Sequence, residues 1–241
     1  MKITFIGSSH GVPEPDRKCS SIMLETGKNI YFVDMGTPAI DALRKRGKNI
    51  DNVKGVFITH MHGDHTNGLI QFVDLITWYF KTPDPVIVIP DTRASDVIND
   101  WLDITLNGHR HSLSFRETKP GCVFDDGALK VTAYATQHCK NSHSYLVEAE
   151  GKRVLFTGDL KNPKIDFPTE VLDEKTDLVI CESAHFPATD YAEVFENKPI
   201  ESVCVTHYSD RFLSSVLTLI EGLKTKGVNA GRASDDLEIT L

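Results

Sequence analysis

The segment His60-Met61-His62-Gly63-Asp64-His65 decides how the rest of this sequence is read. Three imidazoles and a carboxylate fall within it, after the apolar run from Val53 to Thr59 and ahead of a stretch with helical periodicity. Side chains alternate along an extended strand, so His60 and His62 point the same way. Gly63 lacks a Cβ and permits a sharp turn. Asp64 and His65 then project from the turn and the helix start. Imidazole nitrogens and carboxylate oxygens suit Zn²⁺, Mn²⁺ or Fe²⁺, and the segment carries enough ligands for parts of two sites. The competing reading is a solvated, His-rich turn, and the position between a buried strand and a helix argues against it.

One motif does not close a metal site, and further ligands are expected at the ends of later strands, where loops aim side chains into a shared cleft. Three residues meet that expectation. His138 follows Ala133-Tyr134-Ala135-Thr136, Asp159 follows Val154-Leu155-Phe156-Thr157-Gly158, and His207 follows Val203-Cys204-Val205-Thr206. There is also a faint internal echo, Phe57-Ile58-Thr59-His60 against Cys204-Val205-Thr206-His207. Both are apolar strands ending in Thr-His, which predicts both histidines at one edge of a sheet sandwich.

Hydrophobic periodicity predicts strands over 2–7, 20–26, 29–35, 53–59, 86–89, 128–136, 143–149, 153–157, 178–181, 203–206 and 237–241. It predicts helices over 38–47, 65–80, 94–104, 189–196 and 212–226. Thr37 is the expected cap of the first, with Pro38 in its first turn and Gly47 at its end. No Pro- or Ser-rich linker interrupts the 241 residues, so the chain is read as one domain over 1–241.

Composition narrows the function classes. With 26 basic and 34 acidic side chains the formal charge is −8, which disfavours broad binding to nucleic acid or an anionic membrane. The five cysteines are odd in number and lack a CxxC spacing, so neither a secreted disulfide framework nor a four-cysteine zinc site is supported. Reduced thiols in the cytoplasm are the simpler reading. The chain starts on the alternating strand Lys2-Ile3-Thr4-Phe5-Ile6-Gly7, without the pattern of a signal peptide. No apolar run approaches the roughly 20 residues of a membrane span.

The motifs together resemble the metallo-β-lactamase superfamily, and within it the ribonuclease Z-like phosphodiesterase branch. HxHxDH at 60–65 is the superfamily's signature, and Phe156-Thr157-Gly158-Asp159 matches its GD motif. Thr206-His207-Tyr208-Ser209-Asp210-Arg211-Phe212 resembles the ending of the ribonuclease Z-type enzymes. Ile6-Gly7-Ser8-Ser9-His10-Gly11-Val12-Pro13 with Arg17 and Ser20-Ser21, and Phe32-Val33-Asp34-Met35-Gly36, resemble the same branch. The likeness runs over nearly the whole chain. It implies an α/β fold, the four-layer αβ/βα sandwich, with two divalent metal ions at the sheet edges: zinc or manganese, with iron a third candidate. By position His60, His62 and His138 would hold one metal, Asp64, His65 and His207 the other, and Asp159 would bridge them. A metal-bridging hydroxide would be the nucleophile, with Asp64 also orienting it. Leu178-Val179-Ile180-Cys181-Glu182-Ser183-Ala184-His185 looks like a contracted form of the branch's HEAT segment, with Cys181 replacing its leading His. His185 would then be the acid that protonates the leaving oxygen, with Glu182 setting its tautomer. Ser209 and Arg211 are candidate phosphate contacts. The sequence does not decide whether His10, His109, His111 or His143 reaches the cleft, and Arg44-Lys45-Arg46 with Lys48 reads as a solvated helix end.

The chain departs from the transfer-RNA-processing members at one point. They insert a long substrate-clamping arm between the third His and the bridging Asp. Here the interval from His138 to Asp159 is filled by two strands and a turn at Glu150-Gly151. That absence and the acidic charge favour a small or cyclic phosphodiester as substrate, and the short phosphonate-pathway phosphodiesterases have a similar outline. A transfer-RNA 3′-endonuclease, a lactone, ester or thioester hydrolase, and a non-enzymatic metal-binding protein are the competing functions. A homodimer is the candidate assembly, and no membrane partner is expected.

Overall fold

The computed structural model describes residues 1–105 and 113–241; His109 and His111 lie outside them. Strands β1 (Lys2–Gly7), β2 (Ser21–Thr26) and β3 (Asn29–Met35) open the chain as a meander. Helix α1 (Ala39–Lys45), β4 (Val53–Phe57), α2 (Gly63–Leu75), β5 (Val86–Ile89), α3 (Arg93–Thr105) and β6 (Ser114–Glu117) follow. A second meander comprises β7 (Gly121–Asp125), β8 (Lys130–Ala135), β9 (His143–Ala149) and β10 (Lys152–Phe156). Then come α4 (Pro163–Asp166), β11 (Leu178–Ser183), α5 (Tyr191–Val194), β12 (Ser202–Tyr208), α6 (Leu213–Thr225), β13 (Asn229–Arg232) and β14 (Glu238–Thr240).

These strands build two seven-stranded sheets, ordered β14-β1-β2-β3-β4-β5-β6 and β13-β12-β11-β10-β9-β8-β7. In the first, β14, β1, β2 and β3 pair antiparallel and β3 to β6 pair parallel. The second repeats the pattern: β7 to β10 antiparallel, β10 to β13 parallel. Parallel strands need cover on both faces, and the burial supplies it. Phe5, Leu24, Tyr31, Phe57, Val131, Tyr145 and Phe156 fill the space between the sheets. Leu43, Leu69, Phe72 and Leu102 cover the outer face of the first sheet, and Tyr191, Val216, Leu219 and Leu223 that of the second. The layers are therefore helix, sheet, sheet, helix, the αβ/βα sandwich expected from the sequence. Among the described residues no helix is long and apolar enough to cross a membrane.

The local differences from the sequence reading have physical causes. The strand expected over 53–59 ends at Phe57, so His60 and His62 stand beyond it. Gly63 is the first residue of α2 rather than a sharp turn. The helix expected to 80 is α-helical to Leu75 and then makes a π-helical turn over Ile76–Phe80, closed by Lys81 at φ 64°. Pro38, not Thr37, occupies the cap position of α1, and no side chain caps it. Three strands went unforeseen. β6 and β7 are mostly exposed, and β13 reads Asn-Ala-Gly-Arg; edge strands of this kind are set by the neighbour they pair with, not by their own β-propensity. The Thr-His echo puts His60 just past β4 and His207 near the end of β12, although in pairing order β4 matches β11 and β12 matches β5.

The basic helix end is tied down by acids. Lys45 and Arg46 both pair with Asp236, and Lys48 with Glu25.

Candidate metal centre

Both sheets present the C-terminal ends of their parallel strands to one cleft. His60 is fully buried just past β4, and His62 is exposed on the same side. His60 Nε2 lies 3.0 Å from His62 Nδ1, which lies 3.2 Å from His138 Nε2 in the loop after β8. A second triad adjoins it. Asp64 Oδ2 is 3.4 Å from His65 Nε2 and 3.6 Å from His207 Nε2. Asp159, in the loop after β10, stands between the two. Its Oδ1 is 3.5 Å from His65 and 3.4 Å from His207. Its Oδ2 is 3.7 Å from His60 and 3.6 Å from His138. One carboxylate thus turns one oxygen to each triad, and the seven residues singled out in the sequence converge.

The donor atoms fit divalent cations. Among the described residues His65 Nε2 and Asp159 Oδ1 are buried and find no hydrogen-bond partner, an arrangement that is costly unless something else satisfies them. The seven donors are nitrogens and carboxylate oxygens without a thiolate, a borderline-to-hard set. Burial, and then the charge of His65, pushes His60 down to about 2, so its imidazole is neutral and has a lone pair to offer. Burial likewise lowers His138. For His65 burial is outweighed by the carboxylates of Asp34 and Asp159, which raise it. Burial of Asp159 is outweighed by His207 and His65, which hold its carboxyl well below the usual range.

A further layer orients these groups. Asp34, near the end of β3, turns Oδ2 to His65 Nδ1 at 2.7 Å, and its Oδ1 accepts the Thr59 N–H at 2.8 Å. Partners of this kind fix which ring nitrogen of a histidine faces the metal. Sequence reasoning quoted Asp34 within a resemblance and gave it no role. The signal was there, an acid closing the buried run Ile30 to Val33. Asp34 and His207 both adopt left-handed backbone, φ 59° and 46°, a strain of about 1–3 kcal/mol each that the surroundings must sustain. For His207 the hold includes its N–H donated to Ser8 O at 2.9 Å. Arg17 adds to it, buried, donating to Tyr208 O at 3.0 Å and stacked 4.0 Å over the Tyr208 ring. Gly36 lets the chain pass Asp64, since a Cβ there would sit 1.7 Å from the Asp64 carbonyl oxygen.

His185 and Glu182 flank the cluster. Both Glu182 oxygens lie 2.9 Å from His185 Nδ1, and they also accept the N–H groups of Leu160 and Ala184, each at 2.8 Å. His185 Nε2 points to the centre, 3.8 Å from Asp159 Oδ2, and its side chain keeps 38% exposure. Burial lowers the His185 pKa, but Glu182 first and then Asp159 and Asp64 lift it to about 9. Burial and the Asp159 charge push Glu182 up.

The remaining predicted contacts are looser. Ser209 is half-buried beyond His207, and Arg211 is exposed with its guanidinium 5.1 Å from the Phe212 ring. His10 is held by Glu14 at 3.1 Å in the loop where Gly11 faces Asp64, so that loop borders the cleft. His143 is buried, belongs to neither triad, and has no partner for Nδ1 among the described residues.

Known proteins resemble this chain in sequence and in fold. A Ribonuclease Z of Listeria welshimeri serovar 6b is 30% identical over 174 residues, 69% of this chain and 55% of that protein. The chain thus spans about half the length of the curated relatives it matches. The metallo-beta-lactamase fold protein YhfI from Bacillus subtilis superposes with a TM-score of 0.78 at 16% identity, covering 99% of this chain and 98% of that one. The short form of human tRNase Z gives 0.72 at 18% identity, covering 100% and 99%. The profile of a family described as anti-Pycsar protein Apyc1 matches residues 1–217. Fold, motifs and relatives agree, and the chain belongs to the anti-Pycsar protein Apyc1 family, in the ribonuclease Z-like branch of the metallo-β-lactamase superfamily.

Proposed function

We propose that the protein is a metal-dependent phosphodiesterase acting on a small or cyclic phosphodiester, such as a cyclic nucleotide or a cyclic sugar phosphate. The observation that carries this reading is the Asp159 carboxylate between two triads, with the His185–Glu182 pair beside it. His60, His62 and His138 would hold one cation, Asp64, His65 and His207 the other, with Asp159 shared. Zn²⁺ or Mn²⁺ suits this set, with Fe²⁺ a third candidate. Two divalent cations bound there would supply Lewis acidity toward phosphate oxygens and a water acidic enough to lose its proton near neutral pH.

The chain's own groups do the rest. His185 carries a proton on Nε2 at the cleft and donates it to the departing oxygen. Glu182 accepts the Nδ1 proton and so keeps the ring turned with Nε2 toward the substrate. Asp64, in the first turn of α2 and facing Gly11, has its carboxylate where an attacking oxygen would need orienting. Ser209 and Arg211 are candidates for the phosphate oxygens, Arg211 after a rotation off Phe212.

The reading of a small substrate rests on what fills the interval from His138 to Asp159. It consists of the end of one loop, β9, a two-residue turn and β10, and the net charge is −8. A transfer RNA needs a basic surface to neutralise its phosphates. The names of the ribonuclease relatives support the second reading, a transfer-RNA 3′-endonuclease. Metal-analysed protein assayed on bis(p-nitrophenyl) phosphate, on cyclic phosphates and on precursor transfer RNA separates the two. Turnover of small diesters without transfer-RNA cleavage is the expected result. No turnover of any diester by protein carrying two cations would overturn the proposal.

A further inference from the structure

We propose that Thr59 is a positioning residue: its hydroxyl sets the ring of His60 for metal binding and joins it to the Asp34–His65 pair of the other triad. The inference rests on the two-cation reading above. Thr59 is 1% exposed. Its Oγ1 lies 3.0 Å from each oxygen of Asp34 and 3.1 Å from His60 Nδ1. A hydroxyl has one proton and two lone pairs. Asp34 is a carboxylate, so the proton goes to it, and a lone pair is left for the His60 Nδ1–H. With Nδ1 protonated, the lone pair of the His60 ring sits on Nε2, the atom 3.0 Å from His62 Nδ1 and 3.7 Å from Asp159 Oδ2. Asp34 Oδ2 meanwhile receives His65 Nδ1. One hydroxyl and one carboxylate therefore orient a histidine of each triad.

The backbone around Thr59 extends the same role to the second sheet. The Thr59 carbonyl accepts the N–H of His143 at 2.9 Å, at the start of β9. Gly158, immediately before Asp159, runs against Thr59 at φ 55°, so close that a Cβ there would meet Thr59 Cβ at 2.9 Å. Thr59 thus touches what holds His60, His65 and Asp159. Packing alone could account for a buried threonine at this point, and the two explanations differ in which atom of the side chain matters.

Two substitutions separate them. Thr59→Val keeps the shape and removes the hydroxyl, whereas Thr59→Ser keeps the hydroxyl and removes the methyl. Metal content is read after equilibration in chelator-buffered Zn²⁺, with thermal melts of the metal-free proteins as the check on folding. For a histidine that loses its outer partner, affinity falls about 10- to 100-fold, and T59V is expected to weaken one of the two Zn²⁺ equivalents by that amount. T59S is expected to bind both as the parent does. T59V binding like the parent, or T59S losing metal as T59V does, overturns the proposal. If T59V does not fold, the tautomer of His60 decides, read by nitrogen-15 NMR of histidine-labelled parent protein, metal-free and Zn²⁺-loaded. Nδ1–H is expected in both states, and Nε2–H in the metal-free protein overturns the role of Thr59. Fewer than two Zn²⁺ in the parent sinks the two-cation reading, while the tautomer still tests Thr59 on its own.

Discussion

The two sheets share one order of pairings, three antiparallel and then three parallel, yet they deliver their polar groups to the cleft in different ways. In the first sheet the loop after β4 and the first turn of α2 carry His60, His62, Asp64 and His65 in one short segment. In the second sheet His138, Asp159 and His207 come from three separate strand ends, with Glu182 and His185 from a fourth. The matched strands β3 and β10 make the contrast sharpest, since each ends near an aspartate. Asp34 faces the outer nitrogen of His65 and the Thr59 backbone and hydroxyl. Asp159 turns one oxygen to each triad. Parallel strands of both sheets aim their C-terminal ends at one crevice, as ligand sites on open sheets commonly require. Equivalent positions on the two sheets therefore acquire unequal tasks, one carboxylate orienting and the other central.

That contrast can be broken experimentally. The largest effect is expected at Asp159. Asp159→Ala should leave less than one bound cation per chain and activity at background, measured by metal analysis and diester turnover. Two cations retained in that variant would remove Asp159 from the centre. His185→Gln comes next, with kcat about 10²- to 10⁴-fold lower and both cations still bound. Loss of metal together with activity would make His185 a ligand rather than an acid. Asp34→Asn should weaken metal affinity about 10- to 100-fold without abolishing binding. If it empties the centre as completely as Asp159→Ala, the two aspartates are not different in kind.

The smallest effect at the site is expected from the far end of the second sheet's parallel strands, away from the cleft. Asp177, just before β11, accepts the Arg153 N–H at 2.9 Å and the Lys152 ammonium at 3.1 Å. Burial opposes its charge, but these partners hold its pKa below the ordinary value. A depressed folded pKa means stabilisation that is present above the unfolded pKa and fades as pH falls through the folded one. Asp177→Asn should lower unfolding stability by about 1.5–3 kcal/mol near neutral pH, with the gap to the parent closing in acid and metal content unchanged. Urea unfolding at several pH values tests this; a gap that widens in acid contradicts it.

How much of this was legible depended on chain distance. The central strands were readable because each is a dense apolar run, for example Ile30 to Val33, Val86 to Ile89 and Leu178 to Cys181. Strands β6, β7 and β13 were not, because they are polar or small-residue edges whose pairing with a neighbour overrides their own propensity. The pair Glu182 and His185 was visible through the resemblance of their segment, and the structure joins them through Nδ1. Arg17 and Asp34 stood in quoted motifs without a role, since nothing local separates an orienting acid or a buried arginine from a solvated one.

Apolar periodicity and a short His-rich segment, being properties of neighbouring residues, made the main strands, the helices and the candidate donor residues readable in the sequence by itself, and the resemblance of its motifs to the metallo-β-lactamase superfamily supplied the sandwich class. Only the tertiary structure decided which oxygen of Asp159 faces which triad, that Asp34 stands behind His65, and that Thr59 reaches both. Those relations join strand ends far apart in the chain, and the pairing of strands and the close packing of two sheets, not local preference, bring them within hydrogen-bond distance.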